Sequence, residues 1–256
     1  MSRFVDDLVA QVLSLDIALR ACRERLAART DTEALHDLRI NLRKLRSLLR
    51  PLREQPVVMP LEEAAAALGV LSGPLRDLEV LLAELERQGH GELLGARRVA
   101  LEQGYETLLR SAELRHLFRV LDNWPGLVRR ADSDGGLKGL RKRARKVLRR
   151  QSARLAEALV DPAHDRHRLR LLIKRVRYGD EAYPALSPVA DDGWTALKAA
   201  QSALGDWHDH LQWLARAGEQ ADLAPLMPGW QAALAEAEVR ADKACEALME
   251  HFPTGR

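Results

Sequence analysis

The sequence predicts an all-α protein built as two tandem halves. Leucine and alanine recur at helical spacing through most of the 256 residues, and β-branched runs of alternating polarity are essentially absent. Two stretches about half a chain apart also repeat one pattern of side chains. With 46% hydrophobic and 30% charged residues, the composition is that of a soluble helical chain, long enough to bury a substantial core as one large domain or two.

Helices are expected near 3–28, 32–52, 60–88, 91–121, 136–159, 163–183, 191–218 and 230–250. Thr30 with Glu33 reads as a capping box ahead of the second helix, and Pro56 and Pro60 separate the second from the third. Asp132, Ser133, Asp134, Gly135 and Gly136 form the expected linker. A single domain over 1–256 thus divides into a first half at 1–131, a linker at 132–136 and a second half at 137–256. Asp161 followed by Pro162 reads as an N-cap with proline at the first helical position, and Pro225 and Pro228 precede the last helix. Short joins imply antiparallel neighbours, hence bundles.

The function-bearing feature is the segment 35–50, LHDLRINLRKLRSLLR. On a helical wheel His36, Arg39, Arg43, Arg46 and Arg50 fall at about 0, 300, 340, 280 and 320°, a stripe roughly 80° wide and roughly 21 Å long. Leu35, Leu38, Leu42, Leu45 and Leu49 lie about 100° away, so one helix faces a core with leucine and something else with cations. In RHRLRLLIKRVRYGDE at 166–181, His167, Arg170, Lys174 and Arg177 repeat the geometry beside Leu169, Leu172, Ile173 and Val176. Lys44 and Arg175 belong to the same basic pattern but point away from the stripe. A merely solvated face usually mixes acids with bases at i,i+4. These stripes are almost free of acids, so their repulsion must be offset by carboxylates of neighbouring helices or by an anionic ligand.

A second match at nearly the same offset superposes Gly73 and Asp77 on Gly205 and Asp209, and Arg23 on Arg154. Each half therefore carries a cationic helix followed by a helix with an internal glycine and an aspartate. Asp77 and Asp209 are expected to pair with the cationic helices, and the glycines to allow close helix approach or, at Gly73-Pro74, a break. Net charge is +3, but charge is segregated. Lys138, Arg141, Lys142, Arg143, Arg145, Lys146, Arg149, Arg150 and Arg154 stand in 136–154 without an acid, whereas 191–256 is rich in Asp and Glu. That asymmetry suggests a polyanion for the basic part or neutralisation inside the fold.

The His-x-x-Arg-x-x-x-basic-basic-x-Arg stripes, Gly73-x-x-Arg76-Asp77, the Leu-Arg-x-x-x-Lys-Arg-x-Arg-Tyr of 169–178 and the Leu-x-x-x-Gln-x-x-Leu-Gly of 197–205 resemble the CHAD family, the conserved-histidine α-helical domain. The likeness covers nearly the whole chain. It implies two pseudo-symmetric four-helix bundles around a central basic channel, and inorganic polyphosphate as a ligand bound without known turnover. The residues it makes candidate contacts are His36, Arg39, Arg43, Lys44, Arg46, Arg50, His167, Arg170, Lys174, Arg175 and Arg177. In support stand Arg20, Arg23, Lys138, Arg141, Lys142, Arg145, Arg149, Arg154, Asp77, Asp209 and His208. His208 departs from the pattern, standing where the first half has Arg76, as does Glu181 opposite Arg50.

The chemistry fits that ligand. Linear polyphosphate presents anionic oxygens along a flexible axis, so it needs cations in file. Arginine donates paired hydrogen bonds to phosphate and stays charged. The two histidines, unperturbed near pKa ~6.5, either add pH-dependent donors or sit neutral at the edge of the core. Catalysis is not expected. The dipeptides His36-Asp37 and His208-Asp209 lack the further ligands of an HD phosphohydrolase, and His164, His167, His208, His210 and Asp206 have no recognisable metal framework. No P-loop is present, and neither cofactor nor metal is expected.

Nucleic acid is the competing partner, because basic helices attract any phosphate backbone. Aromatic residues make up 4% of the chain, with Trp207 and Trp213 on the Asp209 helix, which argues against base stacking on the stripes. Facing stripes would also be too narrow for a duplex. The expected partners are inorganic polyphosphate and, for a regulatory role, enzymes of polyphosphate metabolism. Cys22 and Cys245 read as reduced thiols, MSRFVDDLVA lacks a secretory apolar region, and no apolar stretch approaches membrane-spanning length. The expected location is cytoplasmic, with polyphosphate granules as one setting, and no membrane association.

Overall fold

The computed structural model describes residues 2–253 and contains helices and turns with no strand among them, as expected. In chain order the helices are α1 (Arg3–Ala28), α2 (Ala34–Leu49), α3 (Met59–Leu71), α4 (Gly73–Arg87), α5 (Gly95–Arg110), α6 (Ala112–Ser133), α7 (Leu140–Val160), α8 (Arg166–Ala182), α9 (Asp191–Glu219) and α10 (Met227–Met249). The chain forms two compact units, Met1–Ala144 and Arg145–Arg256.

In the first unit α2 packs on α1 and α3, α3 on α6, and α4 on α5. The leucine face of α2 explains its place, since Leu35, Leu38, Leu42, Leu45, Leu48 and Leu49 are all buried. The second unit has a core of Leu155, Ala156 and Leu159 from α7, Leu169, Ile173 and Val176 from α8, Leu197, Ala200 and Leu204 from α9, and Ala237, Ala241 and Leu248 from α10. Gly179 lets α8 approach α7, because a Cβ there would lie 2.8 Å from Leu148 Cδ2.

The expected helix at 60–88 is two helices, α3 and α4. Ser72 separates them, and Gly73-Pro74 opens α4, where a missing amide donor is harmless. The expected helix at 91–121 also divides, at Ser111. Its backbone turns to the extended region while its hydroxyl accepts from Leu114 N at 3.2 Å and caps α6. Beyond residue 121, α6 continues through Pro125 to Ser133. The interruption costs about 3 kcal/mol in an isolated helix, but Trp124 before it and Val128 after it are buried, and Trp124 Nε1 donates to Val57 O at 2.9 Å.

The two expected caps require correction. The α2 N-cap is Glu33 without a side-chain bond, while Thr30 and the Glu33 amide both donate to Asp31. The α8 N-cap is Asp165, whose Oδ1 accepts from Arg168 N at 2.7 Å; Asp161 instead accepts from Ala163 N in the preceding turn. The stretch expected as linker is helical through Ser133, and Gly135 and Gly139 take positive φ before α7 begins at Leu140. Cys22 and Cys245 are both free thiols. No helix among the described residues is long and apolar enough to cross a membrane.

Candidate functional site

In the first unit the α2 stripe lies against the α3–α4 junction. Arg39 Nη1 donates to Gly69 O and Ser72 Oγ, each at 3.0 Å. Gly69 and Gly73 border the guanidinia, and a Cβ would be in ordinary van der Waals contact there, 3.8 Å from Arg39 Nη1 at Gly73 and 3.6 Å from Arg46 Nη1 at Gly69. Burial lowers the Arg39 pKa from its ordinary value. Asp77 and Glu79 oppose that effect, while Arg76 and Arg43 add to it, which places all four charges within electrostatic reach of Arg39. An arginine remains charged under such a shift. Its two acceptors are neutral, so they hold the guanidinium without cancelling its charge.

Arg46 is fixed differently, with Nε 3.5 Å from the largely buried Glu62 carboxylate. His36 and Arg43 on α2 and Arg50 just past its end are half-buried, whereas Lys44 is exposed. Arg76, on α4, pairs with Glu79 at 2.8 Å. The carboxylate relief expected for the stripe thus comes from Glu62 as well as from the Asp77 helix.

In the second unit His167 is exposed near the start of α8, with its ring centroid 5.8 Å from that of His208 on α9. His208 is pushed down to about 4, first by burial and then by Arg170, His167 and Lys174. The position that departs from the repeat is therefore built into the second stripe as a neutral ring among cations. Arg177 lies 4.8 Å above the Tyr178 ring and 5.6 Å from that of Trp194, with Glu181 at 3.8 Å. Stacked guanidinium of this kind stays oriented while keeping in-plane donors. Arg175 is exposed, and Asp209 is half-buried one residue beyond His208.

A cavity of about 680 Å³ opens beside His167, lined also by His164, Arg166, Arg168, Trp207 and Asp242. Its Arg166 makes a two-pronged pair with Asp242, at 2.8 and 2.7 Å.

The supporting candidates divide. Arg20 is held by Asp16 and Asp122 and lies 4.6 Å above the Phe118 ring, and Arg23 pairs with Glu24. Lys138, Arg141, Lys142, Arg145, Arg149 and Arg154 are exposed. Gly205 has no neighbour within 4 Å of where a Cβ would stand, so close helix approach does not account for it. Among the described residues no group of three His, Cys, Asp or Glu side chains is placed to hold a metal ion.

The family model described as the CHAD domain matches residues 14–218, which contain both stripes and both Gly/Asp helices. The chain belongs to the CHAD family. It is similar to the uncharacterized proteins MT2285 and Rv2226 of Mycobacterium tuberculosis, 31% identical over 231 residues, which is 82% of this chain and 43% of each relative. The chain thus spans under half the length of those curated relatives. The crystal structure of the CHAD domain from the plant Ricinus communis matches with a TM-score of 0.71 at 22% identity, covering 98% of this chain and 93% of that one. At that identity the likeness is one of fold.

Within this CHAD domain, the side chains that periodicity could not supply are those that hold the stripes. Gly69 and Glu62 lie on α3, Ser72 at the α3–α4 junction and Trp194 on α9, and only the fold brings them to α2 and α8.

Proposed function

We propose that this CHAD domain binds inorganic polyphosphate along the α2 and α8 stripes and does not turn it over. The observation that carries the reading is the state of Arg39. It is fixed by a carbonyl and a hydroxyl instead of a carboxylate, so a preset positive charge is retained in a nearly acid-free file. Arg177, oriented by two rings, supports the same reading in the second unit. A file of oriented guanidinia suits a ligand that repeats one anionic group along its length and asks little of shape at any unit.

In this reading His208 tunes the second stripe. Burial is the main cause that keeps His208 neutral and the neighbouring cations add to it; a phosphate beside Arg170 and Lys174 offsets that added repulsion, so binding and protonation favour each other. Polyphosphate granules and enzymes of polyphosphate metabolism are the settings in which such a module would act.

The test is competition at equal phosphate equivalents between long-chain polyphosphate and single-stranded DNA for the full chain, with phosphate release followed in the presence of divalent metals. Preference for polyphosphate without release is expected. Equal affinity for DNA would defeat the polyphosphate reading, and sustained release would defeat the binding-only reading.

A further inference from the structure

Apart from the stripes, the part of α7 in the second unit carries a separate block of charge. Arg145, Lys146, Arg149, Arg150 and Arg154 are all exposed, and none has a hydrogen-bond or ion-pair partner among the described residues. No acid interrupts residues 145–154. The opposite face of the helix is committed to the core through Leu148, Leu155 and Leu159, so no apolar face remains to enter a membrane.

The cations form two rows. Taking Arg145 as zero, Arg145 and Arg149 fall at about 0 and 40°, and Lys146 and Arg150 at about 100 and 140°, with Arg154 at about 180°. Rows separated by about 100° on a helix some 10–12 Å across point to two lines of anions, one on each side of the helix. A single-file polymer meets one row. The major groove of a duplex, about 12 Å wide, admits an α-helix and is bordered by two phosphate backbones. Residues 145–160 contain no aromatic ring on which an unpaired base could stack. Gln151, the one side-chain amide in 145–154, is half-buried, which leaves guanidinium and ammonium groups to meet the partner.

We propose that this face of α7 docks onto the phosphate backbones of double-stranded nucleic acid without reading its sequence. The inference does not depend on the polyphosphate reading, which is carried by the α2 and α8 stripes and for which Arg145, Arg149 and Arg154 are only supporting candidates.

The test uses the full chain and fluorescence anisotropy with a labelled mixed-sequence duplex of about 20 base pairs. Single-stranded DNA of equal length and poly-glutamate of equal charge serve as comparisons. Each phosphate contact contributes about −0.9 to the slope of log K against log salt, so five contacts predict about a 500-fold loss of duplex affinity between 50 and 200 mM salt. The R145A/K146A/R149A/R150A variant should flatten that slope by about three to four, and R150A alone by about one. An R43A/R170A/K174A variant should leave duplex affinity unchanged. The proposal is overturned by absence of duplex binding at 50 mM salt, by an unaffected α7 variant, or by loss of duplex binding in the stripe variant. Equal affinity for single strands would remove the two-row geometry, and equal affinity for poly-glutamate would assign the face to an acidic polypeptide.

Discussion

Replacing Arg39 with alanine should destabilise the first unit before it is asked to bind anything. Arg39 Nη1 bridges Gly69 O and Ser72 Oγ at 3.0 Å, tying α2 to the end of α3. A hydrogen bond to a charged group contributes a net ~1.5–3 kcal/mol, and two from one nitrogen add less than fully, so the expected loss is about 2–4 kcal/mol. Ser72 is fully buried and keeps only its longer bond to Gly69 O, at 3.4 Å, which places the cost toward the upper part of that range. Urea unfolding followed by far-UV circular dichroism measures it, and the exposed Lys44→Ala serves as control with an expected change within ~0.5 kcal/mol. Arg39→Lys keeps the charge but not the planar fork and should recover part of the stability. If Arg39→Ala unfolded at the same urea concentration as wild type, the bridge would not hold the junction and the preset charge would lose its physical basis.

Two further outcomes concern protons. The folded-state pKa of His208, about 4, lies below the ordinary ~6.5. Its contribution to stability is therefore complete above ~6.5 and is lost as pH falls toward 4. His208→Gln should flatten that part of the stability profile, and calorimetry at pH 5.5 in buffers of different ionisation enthalpy should show proton uptake when polyphosphate binds. An unchanged profile, or uptake undiminished in the variant, would contradict this. Asp180 behaves in the opposite sense. Burial raises it to about 6 against the opposing Ser187 hydrogen bond, and Oδ2 is buried with no hydrogen-bond partner. Its stabilising contribution is present below ~3.9 and is lost as pH rises through 6. Asp180→Asn should stabilise the protein at pH 7 by about 3 kcal/mol and change little at pH 4, as read from unfolding midpoints. A loss at pH 7 would show that the ionised carboxylate has a compensating partner.

Periodicity was most informative where one helix decides its own faces. The leucines of α2 and Leu169, Ile173 and Val176 of α8 mark the core side, and the cations follow at a fixed angle on the same helix. Breaks were harder to read because they turn on single residues with competing signals. Ser111 caps α6 inside an unbroken helical pattern, while Pro125, a strong local stop, is overridden by burial of Trp124 and Val128. Caps were ambiguous for a related reason, since Asp161 and Asp165 both qualify chemically and only the one whose carboxylate reaches Arg168 N starts α8. The groups that fix the stripes were beyond a linear reading. Gly69 O reaches Arg39 from 30 residues away, and Trp194 meets Arg177 from the next helix.

Isothermal titration of long-chain polyphosphate into wild type and Arg43→Ala/Arg170→Ala/Lys174→Ala asks whether the two stripes bind that polymer. Three lost cations should weaken binding at least tenfold and lower the salt slope by about two to three, with folding intact. Wild-type affinity and slope in the triple variant would contradict the account.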